Sequence, residues 1–274
     1  MIIDCFPFFN ELDLLEIRLN ELSDVVDMFV LTEATLTHQG NKKPLYFDDN
    51  KSRFSDFNIA HMICDGYSGV DVSNPWAIEQ YQRQSGIDFI KQHIKPDAKD
   101  VVLLADVDEI WRADKVRQLA KTEGWTHAAA WMPLFYYYMD CVQIGFMWDL
   151  PRWVKGNGLD CSLTSPGDPK VGPLRGCEWD VVVKATGWHF SYLGDVQEKL
   201  ASFTHTEYNE PPYNTKEYIE SRKADCISLF DSGKFSLIPN LGYLPRYVLE
   251  NLDRFGKYLH PKGAYHNGGT EVRN

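Results

Sequence analysis

A short apolar segment of the sequence runs directly into a group of acidic residues. Residues 101–105 are valine, leucine and alanine only, and Asp106, Asp108 and Glu109 follow within four positions. A strand with no polar face is typical of the centre of a parallel sheet that is covered on both sides. Because ligands of open α/β sheets bind beyond the carboxyl ends of the strands, the pattern predicts a binding site at these acids.

The beginning of the chain predicts the rest of such a sheet. Residues 2–6 are predicted as a first strand, and residues 24–33 as a second strand that is apolar until its last residue. Strand, helix, strand in this order is typical of parallel sheets. The intervening helix is predicted to begin at Asn10 as its N-cap, and its apolar residues recur at helical spacing: Leu12, Leu15, Leu19 and Leu22.

Later elements follow from the same periodicities and from the positions of proline and glycine. Asn74-Pro75 marks the start of a long helix, and Pro133 marks a bulge or an edge in a strand. Residues 148–179, rich in glycine and proline, are predicted as a long irregular segment of the kind that often serves as a lid. The predicted strands are 59–63, 128–139 and 181–185, and the predicted helices are 76–93, 114–121, 195–203, 215–228 and 245–255.

Composition and charge exclude some classes of function. The 274 residues fit one α/β domain with a C-terminal annex. A net charge of −11 argues against a nucleic-acid partner, because phosphate binding needs clustered lysine and arginine. No apolar run reaches the roughly 18 residues of a membrane span. The aromatic share of 14% supplies cores first, but aromatic rings also form stacking faces for sugars.

Cysteine spacing and the N-terminus predict the compartment. The six cysteines form no Cys-x-x-Cys pair, so neither a zinc site nor a redox motif is indicated. They are interpreted as buried thiols of a reducing compartment, with a disulfide left open. The first residues are uncharged and soon meet Asp4, which is unlike a signal peptide, so a cytoplasmic location is expected.

Four blocks of sequence, in this order, resemble glycosyltransferase family 17, and they extend over roughly residues 1–260. Trp111 departs from the pattern, because the family usually has proline there, and no membrane anchor or stem like that of the animal members is recognised. The blocks are Glu33-x-x-x-Thr37-x-x-Gly40 with Lys43-Pro44-Leu45, Asp106-Val107-Asp108-Glu109-Ile110, Gly187-Trp188-His189-Phe190-Ser191, and Leu244 to Phe255.

The resemblance implies a fold and a reaction. The fold is a GT-A-like (Rossmann-like) α/β domain over residues 1–260, with a mostly parallel central sheet flanked by helices and a helical C-terminal annex. Residues 261–274 would then be a polar, flexible tail. The implied reaction is transfer, with inversion, of a sugar from a nucleotide-sugar donor, most simply UDP-N-acetylglucosamine, to a glycan acceptor.

The acids after the central strand are the predicted metal ligands. Asp106 and Asp108 are spaced so that their oxygens can face one Mn²⁺ or Mg²⁺, which prefer such ligands. His189 fits the later histidine that GT-A enzymes often add as a third ligand. The alternatives are a solvated strand-to-helix corner for the acids, with Asp108 or Glu109 starting a helix, and a core position for the histidine.

Donor binding is predicted from groups near the ends of the strands. The candidates are Glu33, for the ribose or base, with Lys43, Gln82, Arg83, Asp106 and Lys199 for the rest of the donor. A cation beside a diphosphate would offset the negative charge of the chain. For each of them a solvated surface position is an equal alternative, and Arg83 also fits an i, i+4 pair with Glu79.

An inverting transfer needs a general base for the acceptor hydroxyl. The predicted catalytic residues are Glu207 and Asp195, with Glu178 and Asp180 as further candidates and helix capping as the alternative for Asp195. The predicted acceptor-binding residues are Trp188, Ser191 and His205.

Two other classes of function remain open on the sequence alone. A non-catalytic protein that binds carbohydrates or nucleotide sugars would keep the same fold. A phosphohydrolase that uses the acidic corner is disfavoured, because the sequence has no second cluster of acids or histidines.

Overall fold

A seven-stranded, mostly parallel sheet forms the frame of the protein. The computed structural model describes residues 1–160, 174–175, 177–230 and 233–265. The strands in the described part of the chain, which form this sheet and a second one, are β1 (Ile2–Phe8), β2 (Met28–Ala34), β3 (Ile59–Cys64), β4 (Val101–Leu104), β5 (Glu109–Trp111), β6 (His127–Trp131), β7 (Leu134–Tyr136), β8 (Cys141–Gln143), β9 (Arg152–Lys155), β10 (Val181–Lys184), β11 (Gly187–Ser191) and β12 (Phe235–Leu237).

The order of strands in this sheet is β10-β6-β9-β4-β1-β2-β3. Only β9 is antiparallel to its neighbours. From β1 the chain moves outward through β2 and β3, and it then returns to place β4 on the other side of β1. The strand order therefore reverses between β1 and β4, and a crevice opens at such a reversal beyond the carboxyl ends of the two strands.

Helices cover both faces of the sheet. They are α1 (Leu12–Leu22), α2 (Tyr46–Asn50), α3 (Pro75–Phe89), α4 (Ala113–Ala120), α5 (Val196–Leu200), α6 (Lys216–Ala224), α7 (Arg246–Glu250) and α8 (Leu252–Phe255). Leu15 and Leu19 of α1 pack with Phe6 on one face. Ile87 of α3 packs with Cys5 on the other, as the alternation of side chains along β1 requires.

A second sheet of five short strands, in the order β12-β8-β7-β11-β5, lies beside the first. Strand β11 pairs antiparallel with β5 and parallel with β7. Ile17 of α1 packs in one core cluster with Trp188 of β11 and Val248 of α7. The second sheet, α1 and the C-terminal helices thus share a core.

The predicted α/β class with a mostly parallel central sheet flanked by helices is confirmed. Long α3 is confirmed as well, with the Asn74 side chain accepting a hydrogen bond from the Trp76 backbone at 3.1 Å, although it ends at Phe89 and continues as a π-helical turn, Ile90–Ile94. The predicted division into a domain over residues 1–260 and a tail stays a prediction, because residues 266–274 lie outside the described residues.

Several predicted elements were wrong in extent. The strand expected at 128–139 is two strands in different sheets, β6 and β7, separated at Pro133. The segment predicted as irregular contains β9, which lies between β4 and β6; its residues 161–173 and 176 are outside the described residues. Helix α1 has Glu11, not Asn10, at its N-cap. The helix predicted at 245–255 is divided into α7 and α8.

The cysteines differ from the predicted set of buried thiols. Cys141 and Cys226 are joined by a disulfide, with their Cα atoms 6.3 Å apart, and Cys177 is also disulfide-bonded. Cys5 and Cys64 are free and buried, as predicted. Spacing along the chain did not predict the first pair because its members are 85 residues apart. Within the described part of the chain, no helix has the length and apolar character needed to cross a membrane.

Candidate active site

The loop that carries the acids, residues 105–108 between β4 and β5, is held from beneath by a buried ion pair. Arg18 of α1 and Asp4 of β1 are both fully buried, with two N–O distances of 2.6 and 2.7 Å. The remaining guanidinium nitrogen of Arg18 donates to the backbone carbonyl oxygens of Asp106 at 2.7 Å and Glu109 at 2.9 Å. Because one charged group bonds both ends of the loop, the loop is fixed relative to β1 and α1.

Glu109, for which the sequence indicated only a helix start, bonds back across the loop to Asp106. It is fully buried in β5. One carboxylate oxygen accepts hydrogen bonds from the Asp106 backbone N–H at 2.6 Å and from Arg175 at 2.9 Å, and the other accepts one from the Trp148 indole at 2.5 Å. The acidic corner is therefore an organised turn into a strand and not a solvated helix start.

Asp106 faces two guanidinium groups. Arg83 of α3 binds both of its carboxylate oxygens, and Arg175 lies 3.2 Å away. Arg83 also binds Glu79 at 2.7 Å, one helical turn earlier, as the i, i+4 spacing allowed. Burial alone would raise the pKa of Asp106, but Arg175 and Arg83 outweigh it and hold that pKa well below its usual range. Asp106 is thus a carboxylate at neutral pH.

Asp108 lies between a lysine and a histidine. One of its oxygens accepts a hydrogen bond from Lys199 at 2.8 Å, and the other lies 3.7 Å from the Nε2 atom of His189. Burial alone would lower the pKa of Lys199, but Asp108 and Glu11 outweigh it and raise it. His189 was predicted at the tip of a strand but lies inside β11, opposite Glu109, and that pairing brings it to Asp108.

The donor set allows a divalent cation with two protein ligands. Asp108 and His189 present an oxygen and a nitrogen to each other beyond hydrogen-bonding distance, and the Nδ1 atom of His189 is buried without a hydrogen-bond partner in the described structure. Among the described residues, no three or more histidine, cysteine or acidic side chains are already arranged around one metal position. A site with so few protein ligands would be completed by substrate phosphates and water, as is typical of Mg²⁺ held by one or two carboxylates.

Glu11 belongs to the same crevice, and the sequence did not single it out. It follows β1, while the Asp106 loop follows the neighbouring β4. Burial raises the pKa of Glu11, Lys199 lowers it and Asp108 raises it, with a raised pKa as the result. The available signal was its position just after a strand adjacent to the acidic strand, because carboxyl ends of parallel strands share one edge.

Two of the predicted donor contacts have structural roles instead. Glu33 is fully buried, and its oxygens are taken by the Phe47 backbone N–H and by His61, each at 3.0 Å. Gln82, also buried, donates to the Thr32 carbonyl oxygen at 2.7 Å and lies 3.3 Å from His38. Their polar atoms thus serve to join α3 and the segments after β2 to the sheet.

Lys43, Arg83 and Lys199 are the predicted donor-binding residues that carry positive charge. Lys43 is almost buried; its Nζ lies 3.7 Å from Glu33 and over the rings of Phe9 and Tyr46 at 5.3 and 5.4 Å. Burial lowers the pKa of Lys43. Arg83 and Lys199 are brought together with the two aspartates, which their positions in the sequence allowed but did not require.

The predicted acceptor-binding residues are scattered. Trp188, predicted as a stacking face, is 4% exposed, packs in the core and donates to the Tyr243 carbonyl oxygen at 2.7 Å. Its acceptor-binding role stays a prediction. Ser191 is buried on β11, on the same face as His189 by alternation. His205 is partly exposed and contacts the Trp76 ring edge to face at 5.0 Å.

The predicted general bases are exposed acids. Asp195 caps α5 and accepts the Glu198 backbone N–H at 3.0 Å, as the capping alternative expected, and its catalytic role stays a prediction. Asp180 lies just before β10 and accepts the backbone N–H groups of Thr126 and His127 at the start of β6. This end of the sheet is opposite the Asp106 loop. Exposed Glu178 also precedes β10.

Glu207 is exposed as well. It lies 2.8 Å from His205 in a one-turn 3₁₀ helix, Thr206–Tyr208. Burial raises the pKa of the Tyr192 hydroxyl, and Asp108 and Glu207 both act on that hydroxyl and raise its pKa further. The catalytic role of Glu207 stays a prediction.

Three further residues were missed. Arg18 is an arginine inside an otherwise apolar helix stripe, and Asp4 is an acid inside an apolar strand, so each was visible as a charge at a core position. Arg175 gave no such signal, because it lies in a glycine- and proline-rich segment without periodicity.

Comparison with known proteins identifies a family. The model of glycosyltransferase family 17 matches residues 1–232. The chain is 30% identical to β-1,4-mannosyl-glycoprotein 4-β-N-acetylglucosaminyltransferase from Rattus norvegicus, over all of this chain and 59% of that protein. It is 30% identical to the Homo sapiens protein of the same name, over 96% of this chain and 57% of that one. The chain thus spans less than two thirds of the length of these relatives.

Similarity to solved structures is more remote. A 4-diphosphocytidyl-2C-methyl-D-erythritol synthase is similar with a TM-score of 0.40 and 12% identity, over 80% of this chain and 96% of that one. Residues 1–349 of TarS from S. aureus are similar with a TM-score of 0.38 and 11% identity, over 69% of this chain and 60% of that one. Likenesses of this size add nothing to the description of the site.

Proposed function

Because the chain belongs to glycosyltransferase family 17, we propose that it transfers N-acetylglucosamine from UDP-N-acetylglucosamine to a hydroxyl group of a glycan. The sugar is taken from the names of the curated relatives, which are N-acetylglucosaminyltransferases. The observation that carries the proposal is the convergence of two aspartates with two arginines and a lysine at the reversal point of the sheet.

These charges suit a leaving nucleoside diphosphate. As the bond between the sugar and the diphosphate breaks, negative charge develops on the leaving oxygen, and fixed cations stabilise it without reorganisation. Arg83 and Arg175 present planar guanidinium groups that can bind phosphate oxygens in pairs, and Lys199 adds a point charge. Binding of the donor would exchange part of their ion pairs with Asp106 and Asp108 for phosphate contacts.

A divalent cation, Mn²⁺ or Mg²⁺, is part of the proposal. Asp108 and His189 would hold it, with Asp106 available as a further ligand once its arginines turn to the phosphates. When bound, the ion neutralises charge on the diphosphate as a Lewis acid. Arg18 and Glu109 would keep the loop in place during this exchange, because neither has to move.

Inversion at the anomeric carbon is proposed for a single displacement. The acceptor oxygen attacks from the side opposite the diphosphate, and the electron pair of the broken bond stays on the diphosphate. Such a step needs one base on the acceptor side and none that bonds to the sugar. The cations beside Asp106 and Asp108, which are Arg83, Arg175 and Lys199, are suited to the leaving group.

The experiment is a panel of nucleotide sugars, assayed for release of the nucleoside diphosphate with Mn²⁺, with and without glycan acceptors. UDP-N-acetylglucosamine is expected to give acceptor-dependent UDP release, and Asp108→Asn is expected to lower it at least about 100-fold, since metal-ion stabilisation is worth several kcal/mol. Asp114→Asn is the matched control, because Asp114 is exposed and forms an ion pair with the neighbouring Arg112. Donor binding without any release would favour a non-catalytic nucleotide-sugar-binding protein instead.

A further inference from the structure

Glu11 lies in the crevice beside the acidic loop. It lies between the end of β1 and the start of α1, and β1 is paired in parallel with β4. The loops that follow these two strands meet at the reversal of strand order. Glu11 and Asp108 both act on the Lys199 ammonium, which binds Asp108 at 2.8 Å, so a ligand bound at Asp108 has Glu11 nearby.

Hydrogen bonds to one oxygen hold the Glu11 carboxylate in position, and its other oxygen has no hydrogen-bond partner among the described residues. Its Oε2 atom accepts backbone hydrogen bonds from Phe9 at 3.2 Å and Asn10 at 3.0 Å. Its Oε1 atom makes no hydrogen bond with any residue in the described structure, and the residue is only partly buried. One oxygen thus orients the side chain, and the other is available to a ligand.

Glu11 differs in this from the other carboxylates of the crevice. A carboxylate that binds a guanidinium or ammonium group directly is stabilised as the anion and is a weaker base. Among the described residues Glu11 has no cation at that distance, although the charges of Lys199, Asp108 and Lys43 interact with it from further away. The carboxylates with a direct cation partner are Glu79 and Asp106 with Arg83, Asp108 with Lys199, and Glu109 with Arg175.

The raised pKa of Glu11 suits an oxygen that accepts a proton. Burial raises its pKa, the ammonium of Lys199 opposes this, and the negative charge of Asp108 adds to it. A raised value brings the pKa of a carboxylate closer to neutral pH, and a general base is most effective when its pKa lies near the pH of the reaction.

We propose that Glu11 is the general base of the transfer, an inference that rests on the proposed function. Its Oε1 atom takes the proton of the attacking acceptor hydroxyl as the acceptor oxygen forms its bond to the anomeric carbon. The bond from that carbon to the diphosphate breaks, and its electron pair leaves with the diphosphate. Glu11 then releases the proton to water and returns to the carboxylate.

Glu11→Gln tests this assignment. The amide oxygen of glutamine can still accept the N–H groups of Phe9 and Asn10, so the loop is expected to stay folded. The kcat for transfer is expected to fall about 10²- to 10⁴-fold, as general-base catalysis is typically worth, while both KM values and the thermal shift caused by UDP stay within about threefold. Glu11→Asp, which keeps the carboxylate but shortens its reach, is expected to give an intermediate kcat.

Glu21→Gln is the matched control. Glu21 is on the same helix, its pKa is also raised by burial, and it also accepts a backbone N–H, that of Tyr247 at 3.2 Å. It lies at the other end of α1, roughly 15 Å along the axis, and its variant is expected to keep full activity.

The possible results separate the two proposals. Wild-type transfer with an unchanged kcat in Glu11→Gln overturns the role of Glu11 and leaves the proposed function intact. Loss of the UDP-induced thermal shift in Glu11→Gln, or a kcat of Glu11→Asp as low as that of Glu11→Gln with a lowered melting temperature in both, assigns Glu11 to the fold and also overturns it. No transfer by the wild-type protein removes the proposed function, and this inference with it.

Discussion

Replacement of Arg18 by methionine is expected to destabilise the protein and to release the acidic loop. The change removes the guanidinium that pairs with Asp4 and bonds two carbonyl oxygens of the loop, while methionine keeps most of the apolar volume. Asp4 is left as a fully buried charge, with only the Trp111 indole at 3.2 Å as a hydrogen-bond donor among the described residues.

The magnitude follows from that isolated charge. Removing one partner of a buried ion pair typically costs about 3–5 kcal/mol, and each lost hydrogen bond from a charged donor about 1.5–3 kcal/mol. These costs are not additive for groups in one network, so we expect a loss of at least about 3 kcal/mol in the free energy of unfolding. This is a large part of the roughly 5–15 kcal/mol that a domain has in total.

Urea-induced unfolding, followed by circular dichroism, measures the loss. Arg112→Met is the control, because Arg112 and Asp114 form an exposed pair that is worth only about 0–1 kcal/mol. The double variant with Asp4→Asn, which removes the charge but keeps an oxygen for Trp111, is expected to recover part of the stability. If Arg18→Met costs no more than the control, the loop is not held by this pair and the reasoning is refuted.

Three further predictions follow from the same contacts. Lys199→Met is expected to weaken UDP binding about 10-fold or more in calorimetry, whereas exposed Lys51→Met leaves it unchanged; equal effects would mean that only net charge matters. Trp188→Phe is expected to cost about 1–3 kcal/mol of stability through its lost backbone hydrogen bond and to leave the acceptor KM unchanged, and a raised KM at full stability would support its predicted acceptor role. Asp13→Asn is expected to flatten the pH dependence of stability below about pH 4: hydrogen bonds from a lysine, a tyrosine and an arginine outweigh burial and lower the Asp13 pKa, so its contribution is present above the unfolded pKa and is lost as the pH falls. An unchanged slope of stability against pH would contradict this.

The parts of the fold that the sequence predicted are those fixed by local pattern. The apolar run before Asp106 and the spacing of leucines in α1 determine which face is buried, and these patterns identify β4 and α1 directly. Strand β9 escaped the prediction because four residues between glycine- and proline-rich stretches carry no clear alternation. Its place between β4 and β6 depends on partners distant in the chain.

In the site, too, local pattern predicted some features, and others depend on residues distant in the chain. The position of Asp106 and Asp108 at a strand end followed from the pattern. The place of Trp188 inside β11 did not, because the predicted strand ended at residue 185. Which acids are paired with cations did not follow, because Arg175 and Lys199 reach the loop from segments 69 and 91 residues away. The sequence did not place Glu11 beside the acidic loop, because the segments that meet there are far apart in the chain. For the same reason it could not rank Asp195, Glu207 and Glu11 as bases.

Calorimetric titration of UDP in the presence and absence of Mn²⁺ tests the central claim most directly, because it measures whether the acidic loop binds a nucleoside diphosphate together with a metal. The wild-type protein is expected to bind UDP at least about 10-fold more tightly with Mn²⁺, with that gain lost in Asp108→Asn and kept in Asp114→Asn. Binding of UDP that is equally strong in all three proteins, with or without Mn²⁺, would contradict the account and place the nucleotide away from Asp108.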